Sequence, residues 1–218
     1  MPDVIPRFEF RAFAQQFGQV EDRIRGLGTC ERIRESCETY IVSSVDAQSN
    51  TKVRDQLMDI KVLLRRDREL EQWMPRLKAA FPLPADLLVE QVFPAFGVPA
   101  PTLQRAQYTL AQLLEELVRP HPQLASARVF KRRFGFTVNG CTTELAELLV
   151  NGAAIRTTAV EAEDAERVLD TRKWLGLGEY ENVSYPLALK RILGMEPTPS
   201  REGADCWSSA GPPPKTAR

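Results

Sequence analysis

The chain has 218 residues, and its 29 Lys and Arg balance its 29 Asp and Glu. Zero net charge leaves no global field to attract nucleic acid or an anionic membrane, so a charged function depends on where charge collects. No apolar run is long enough to cross a bilayer, no signal-type segment opens the chain, and the four cysteines lack framework spacing. Those features suit a cytoplasmic protein with reduced thiols. With a single histidine, His121, and no Cys-x-x-Cys, zinc chemistry is not expected.

The first element, Arg7-Phe-Glu-Phe-Arg-Ala-Phe13, alternates strictly. A strand here sends Arg7, Glu9 and Arg11 to one face and Phe8, Phe10 and Ala12 to the other, which demands a polar interior beneath an apolar shell. Phe17, Val20, Ile24 and Leu27 have helical spacing and predict a helix within 15–35, ending at Gly28. Glu38-Thr-Tyr-Ile-Val-Ser-Ser44 is rich in β-formers. After a polar turn, 51–54 and 58–63 predict a hairpin, with Lys52 and Arg54 on one face and Lys61 on the parity opposite Met58, Ile60 and Val62.

Between 67 and 120 the pattern changes to a helical insertion. Leu70, Trp73, Met74 and Leu77 suit a helix stopping before Pro82, and Thr102 is placed to cap another carrying Leu110, Leu113, Leu114 and Leu117. The bland role of this region is packing against the outside of a sheet. Val129, Lys131, Arg133 and Gly135 then share one strand parity. Asn151-Gly152 is a strong two-residue hairpin signal, because both residues tolerate positive φ. That turn sets Glu144 opposite Ala159 and on the same face as Glu161 and Glu163, whereas a one-residue bulge would bring in Glu147 instead. Glu163 or Asp164 starts a helix with Val168, Leu169 and Leu175, and Ser184 and Pro186 start a shorter one. The domain is expected to span 1–195, with the Pro-rich segment 196–218 a disordered tail. Arg132, Arg156 and Lys190 are assigned to solvated surface, and Phe8, Phe10, Phe130, Phe134 and Phe136 to the apolar shell.

In order, these pieces resemble the CYTH superfamily, the triphosphate tunnel metalloenzymes, over about 7–193. The family's opening Glu-x-Glu-x-Lys resembles Arg7-x-Glu9-x-Arg11, and its Asp-Thr-Tyr resembles Glu38-Thr39-Tyr40. Its basic pair and lone lysine are similar to Lys52-x-Arg54 and Lys61, its Lys-x-Arg strand to Lys131-x-Arg133, and its late Glu-x-Glu to Glu161-x-Glu163. The departure is Arg7, a cation where the family carries a carboxylate.

The resemblance implies an α+β fold: a closed, eight-stranded antiparallel barrel with helices packed outside and charges within. It further implies metal-dependent hydrolysis of inorganic triphosphate or a small organic triphosphate. Arg11, Lys52, Arg54, Lys61, Lys131 and Arg133 would bind phosphate, and Glu9, Glu144, Glu161 and Glu163 would hold Mg²⁺ or Mn²⁺. This division is chemically apt, since guanidinium and ammonium groups match phosphate oxygens while carboxylates match hard cations. No residue is marked as the general base. Two other functions share the scaffold: a class IV adenylyl cyclase forming cyclic AMP from ATP, and a non-catalytic phosphate sensor in which Arg7 replaces the metal's charge. Removal of Lys131 or Arg133 is expected to weaken ligand binding without lowering stability, by relieving repulsion in an empty lumen.

Overall fold

The computed structural model describes residues 5–196. Eight strands close into an antiparallel barrel in the order β1-β10-β9-β8-β2-β3-β4-β5, with β5 returning to β1. They are β1 (Arg7–Ala14), β2 (Arg32–Ser43), β3 (Ser49–Arg54), β4 (Leu57–Asp67), β5 (Leu70–Ala80), β8 (Leu124–Val138), β9 (Cys141–Val150) and β10 (Ala153–Ala162). Closure leaves the barrel itself no free edge, and strand alternation sorts its side chains inward or outward.

Turn chemistry sets the register. Asn151 and Gly152 both have positive φ, 49° and 92°, and the β9–β10 pairing places Glu144 opposite Ala159 as the sequence predicts. Glu144 therefore faces the lumen, and Glu147 faces outward against Arg132 and Arg156. A second Asn-Gly turn, Asn139-Gly140, joins β8 to β9 with φ of 51° and 70°. Sequence reasoning passed over it, although the dipeptide carries the same signal.

Two predicted elements are corrected, and a third, the helix ending at Gly28, is observed. Leu70, Trp73, Met74 and Leu77 belong to β5, not to a helix. Pro75 is accommodated there because it sits opposite Lys61, where the β4–β5 register shifts and a ladder bond is already lost. The β2 strand begins at Arg32, so only Gln19–Leu27 (α1) is helical, ending with Gly28 as its cap. The helix carrying Leu113 and Leu117 is capped by Thr109, not Thr102; Thr109 and Gln112 form a reciprocal capping box.

The insertion proper follows β5. A two-stranded ribbon, β6 (Leu83–Pro84) with β7 (Gln107–Tyr108), brackets α2 (Ala85–Leu87), a π-helical turn (Leu88–Val92) and α3 (Phe93–Phe96). Next comes α4 (Leu110–Gln112), continued by a π-helical segment (Leu113–Val118). These elements bury Leu88, Val92, Phe93, Phe96 and Leu113 with Ile41, Val53, Met58 and Ile60 on the outward face of β2–β4. The insertion thus packs against the outside of the barrel. A second outer core joins Phe8, Phe10, Phe136 and Val160 to α1 and α5 (Ala165–Leu175), and α5 is capped by Asp164. Phe130 and Phe134 lie on the same outward parity, partly buried.

The lumen itself divides along its axis. Toward one end the inward positions are apolar: Val42, Ala127, Val129, Ala146, Leu148 and Val150. α6 (Tyr185–Ile192) packs Tyr185 and Leu189 against them and stops the barrel at that end. Charged inward positions occupy the other half, so the barrel is a cup and not an open tunnel. Lys190 on α6 is 3% exposed and pairs with Glu196 at 2.6 Å, which corrects its assignment to solvated surface. Of the expected tail, Glu196 is described and makes this contact; 197–218 lie outside the described residues. Among the described residues, no helix is long and apolar enough to cross a membrane.

Candidate active site

At the charged half of the lumen, a cavity of about 100 Å³ is lined by Glu9, Arg11, Lys52, Lys61, Lys131, Arg133, Glu144 and Glu161. Tyr40, Asn50, Trp73, Ser184 and Tyr185 complete its wall. It shares Glu9, Lys61, Trp73 and Glu161 with an outer vestibule of about 370 Å³ that adds Ile5, Arg7, Pro75 and Glu163. A larger groove of about 490 Å³ lies outside the barrel near Phe130, Leu149 and Arg156. That groove gathers two cations, Arg132 and Arg156, whereas five converge in the lumen, so we place the site there.

Arg11 is the centre of the lumen's electrostatics. Its guanidinium is 5% exposed and meets Glu9 at 2.6 Å, Glu144 at 3.1 Å and Glu161 at 3.8 Å. Thr157 accepts a further bond at 3.3 Å, and the Tyr185 ring lies 4.8 Å away. Burial disfavours the cation, but Glu9 and Glu144 outweigh it and raise the Arg11 pKa well above its ordinary value. A residue expected to bind phosphate is instead engaged by carboxylates.

Glu144, expected to hold metal, is surrounded by three cations: Arg11, Lys131 at 2.9 Å and Arg133 at 3.4 Å. Burial alone would raise its carboxyl, yet Lys131 and Arg11 hold it far below the usual carboxylate range. Burial also opposes the Lys131 charge, and the Tyr185 and Glu144 fields nevertheless raise its pKa. Across the lumen, Glu38 is 4% exposed, accepts the Tyr40 hydroxyl at 2.8 Å and pairs with Arg54 at 3.3 Å. Its carboxyl falls below the usual range because Lys52 and Lys131 overcome burial. Arg54 is thereby turned to Glu38 and does not line the cavity. Lys52 lies 3.9 Å from Asp59, and burial lowers its pKa.

Glu9 and Glu161 face each other across β1–β10. Burial would raise both. Arg11 and Lys61 bring Glu9 below its ordinary value, whereas burial and the Glu9 charge push Glu161 up to about 7. Glu163 is exposed at the rim, beyond the last residue of β10. Among the described residues, no three acidic, histidine or cysteine side chains are arranged to hold an ion by themselves.

The Glu161 shift predicts a pH dependence. The folded carboxyl binds its proton more tightly than the unfolded chain does, so ligand-free stability should fall as pH rises from ~4.5 through ~7 and then level. Glu161→Gln should remove that decline and be the more stable protein above pH ~7. Urea denaturation midpoints across this range provide the check; a parallel decline in the variant would assign it to another group.

Sequence reasoning missed Trp73 and Tyr185. Trp73 lay in a segment taken for helix. Tyr185 is supplied by the helix that ends the barrel, and no local alternation marks it as inward.

A closed eight-stranded antiparallel barrel with charges in half of its lumen is the architecture that the resemblance to the CYTH superfamily implied. No protein-family model matches the chain, and no curated protein matches it. Solved structures do. The PH1012 protein of Pyrococcus horikoshii is 18% identical with a TM-score of 0.46, over 83% of this chain and 97% of that one. A Hippeastrum protein, described as a candidate adenylyl cyclase with a dominant triphosphatase activity, is 10% identical with a TM-score of 0.43, over 86% and 96%. A candidate adenylate cyclase from Bacillus halodurans is 10% identical with a TM-score of 0.45, over 94% and 100%.

Proposed function

We propose that the protein binds inorganic triphosphate or a small organic triphosphate in the charged half of its barrel and hydrolyses it with a divalent cation. The observation that carries this reading is the convergence of Lys52, Lys61, Lys131 and Arg133 from three strands on one cavity. Their spread around the wall suits a ligand with charge along a chain, because each phosphoryl group can meet its own cation. Glu38, Asp59 and Glu144 hold the cationic side chains apart in place, so the site is organised before ligand arrives.

Mg²⁺ or Mn²⁺ would be held by Glu9 and Glu161. Their mutual destabilisation, expressed in the raised Glu161, is what a cation between them would relieve. Two carboxylates suffice for Mg²⁺ when substrate phosphates complete its shell. Such a cation would neutralise phosphate charge and polarise the attacked phosphoryl group. Glu144 is better assigned to ordering Arg11, Lys131 and Arg133 than to the metal, and Glu163 to the rim.

A metal-free phosphate sensor is a second reading, favoured by Arg11, whose guanidinium already occupies the space among Glu9, Glu144 and Glu161. Incubation with inorganic triphosphate, thiamine triphosphate and ATP, with and without Mg²⁺ or Mn²⁺, separates the readings. Cation-dependent phosphate release supports the hydrolase, and cyclic AMP with pyrophosphate would show a cyclase. Tight binding without turnover would show a sensor.

Arg7 is exposed at the rim, opposite Trp73 in the β1–β5 pairing. Arg7→Glu is expected to tighten divalent-cation binding and raise cation-dependent turnover. The effect should stay within about tenfold, because exposed charges are strongly screened. Cation titrations followed by phosphate release would test it; slower turnover with tighter cation binding would mean that Arg7 contacts phosphate.

A further inference from the structure

Two polar atoms of the cavity wall, Tyr185 Oη and Asn50 Oδ1, are buried without a hydrogen-bond partner among the described residues. A buried hydroxyl left unpaired is unfavourable and needs a reason. Packing does not supply one for Tyr185, since contacts of its ring hold it. The ring stacks on Tyr40 at 5.3 Å and 14°, and it meets the Phe13 ring edge to face at 5.3 Å and 88°. Arg11 and Lys131 lie 4.8 Å and 5.1 Å from its centroid. Phenylalanine would keep all four contacts and leave no orphan.

The hydroxyl is a donor at neutral pH. Burial raises its pKa, and the opposing fields of Lys131 and Arg11 do not reverse the shift. Tyr185 is also the first residue of α6, and Ser184, its N-cap, lines the same cavity. Pro186 carries no N–H, so Tyr185 and Leu187 are the first-turn residues of α6 whose backbone N–H groups lack an intrahelical acceptor, and this end of the helix favours negative charge.

We propose that the start of α6 is the floor of the anion site, with the Tyr185 hydroxyl donating a hydrogen bond to an oxygen of the innermost phosphoryl group. The inference rests on the triphosphate reading above. It adds a neutral donor to the cationic set and makes the helix that closes the barrel part of the ligand site.

Calorimetric titration of inorganic triphosphate into the full chain, without divalent cation so that none is consumed, tests it. Tyr185→Phe is expected to bind roughly tenfold more weakly, with a ligand-free melting temperature equal to or above wild type. A merely structural hydroxyl would lower the melting temperature and leave affinity unchanged once folded. Equal affinity in wild type and Tyr185→Phe overturns this inference alone, whereas absence of binding by wild type overturns the triphosphate reading and this inference with it.

Discussion

Replacing Arg11 with methionine is expected to destabilise the protein by about 3–5 kcal/mol at neutral pH, and to make its stability depend on divalent cations. The side chain is 5% exposed and compensates Glu9, Glu144 and Glu161 together. Without it, Glu144 retains Lys131 and Arg133, but Glu9 and Glu161 are left facing each other. Two responses follow. Acidification should recover part of the loss, because Glu161 takes up a proton near neutrality. Millimolar Mg²⁺ or Mn²⁺ should recover part of it at higher pH, by replacing the guanidinium charge. Arg11→Lys, which keeps a cation, should lose less. Urea denaturation with and without cation measures all three effects. An Arg11→Met protein as stable as wild type would show that the carboxylates do not depend on this residue.

The second large effect is on ligand. Lys131→Met is expected to weaken triphosphate binding about 10- to 100-fold, the range for losing a charge-assisted hydrogen bond in a buried site. It should also lower stability, contrary to the expectation drawn from sequence. Lys131 lies 2.9 Å from Glu144 and does not sit among unopposed cations, so its removal breaks a buried pair and relieves no repulsion. Arg11 and Arg133 remain beside Glu144 and should limit the loss to less than that of Arg11→Met. Binding isotherms and thermal melts on the same preparation separate the two effects. Unchanged affinity in a folded variant would remove Lys131 from the ligand set.

The difference between these expectations shows where the sequence is legible. Strand parity fixes which residues face inward, and the Asn151-Gly152 turn fixes which residues stand opposite. Both depend on local geometry, so Glu9, Arg11, Lys131, Arg133, Glu144 and Glu161 were placed in one lumen correctly. Pairing across the lumen depends on how far the strands are staggered around the barrel, and no local pattern encodes it. Arg11 and Glu144, which the resemblance assigns to phosphate and to metal, are paired with each other at 3.1 Å, a contact that no local pattern announces. Arg54, on the correct parity, is drawn to Glu38 for the same reason.

The β5 strand was illegible for a different cause. Leu70, Trp73, Met74 and Leu77 satisfy helical spacing, and Pro75 argues against a strand unless a bulge is known to receive it. The same misreading concealed Trp73. The stop at the closed end could not be read because its apolar lining, from Val42 to Val150, looks like ordinary strand core until α6 is placed against it. Lys190 was missed likewise, since its burial depends on the placement of α6 and on Glu196.

The central claim is that the charged half of this barrel is a polyphosphate site. Equilibrium titration of inorganic triphosphate into the full chain, at low and at raised salt, tests it most directly. Saturable one-to-one binding that weakens with salt is expected, with triphosphate preferred over monophosphate and with affinity reduced in Lys131→Met. Monophosphate binding as tight as triphosphate, or triphosphate affinity unaltered by loss of Lys131, would contradict it.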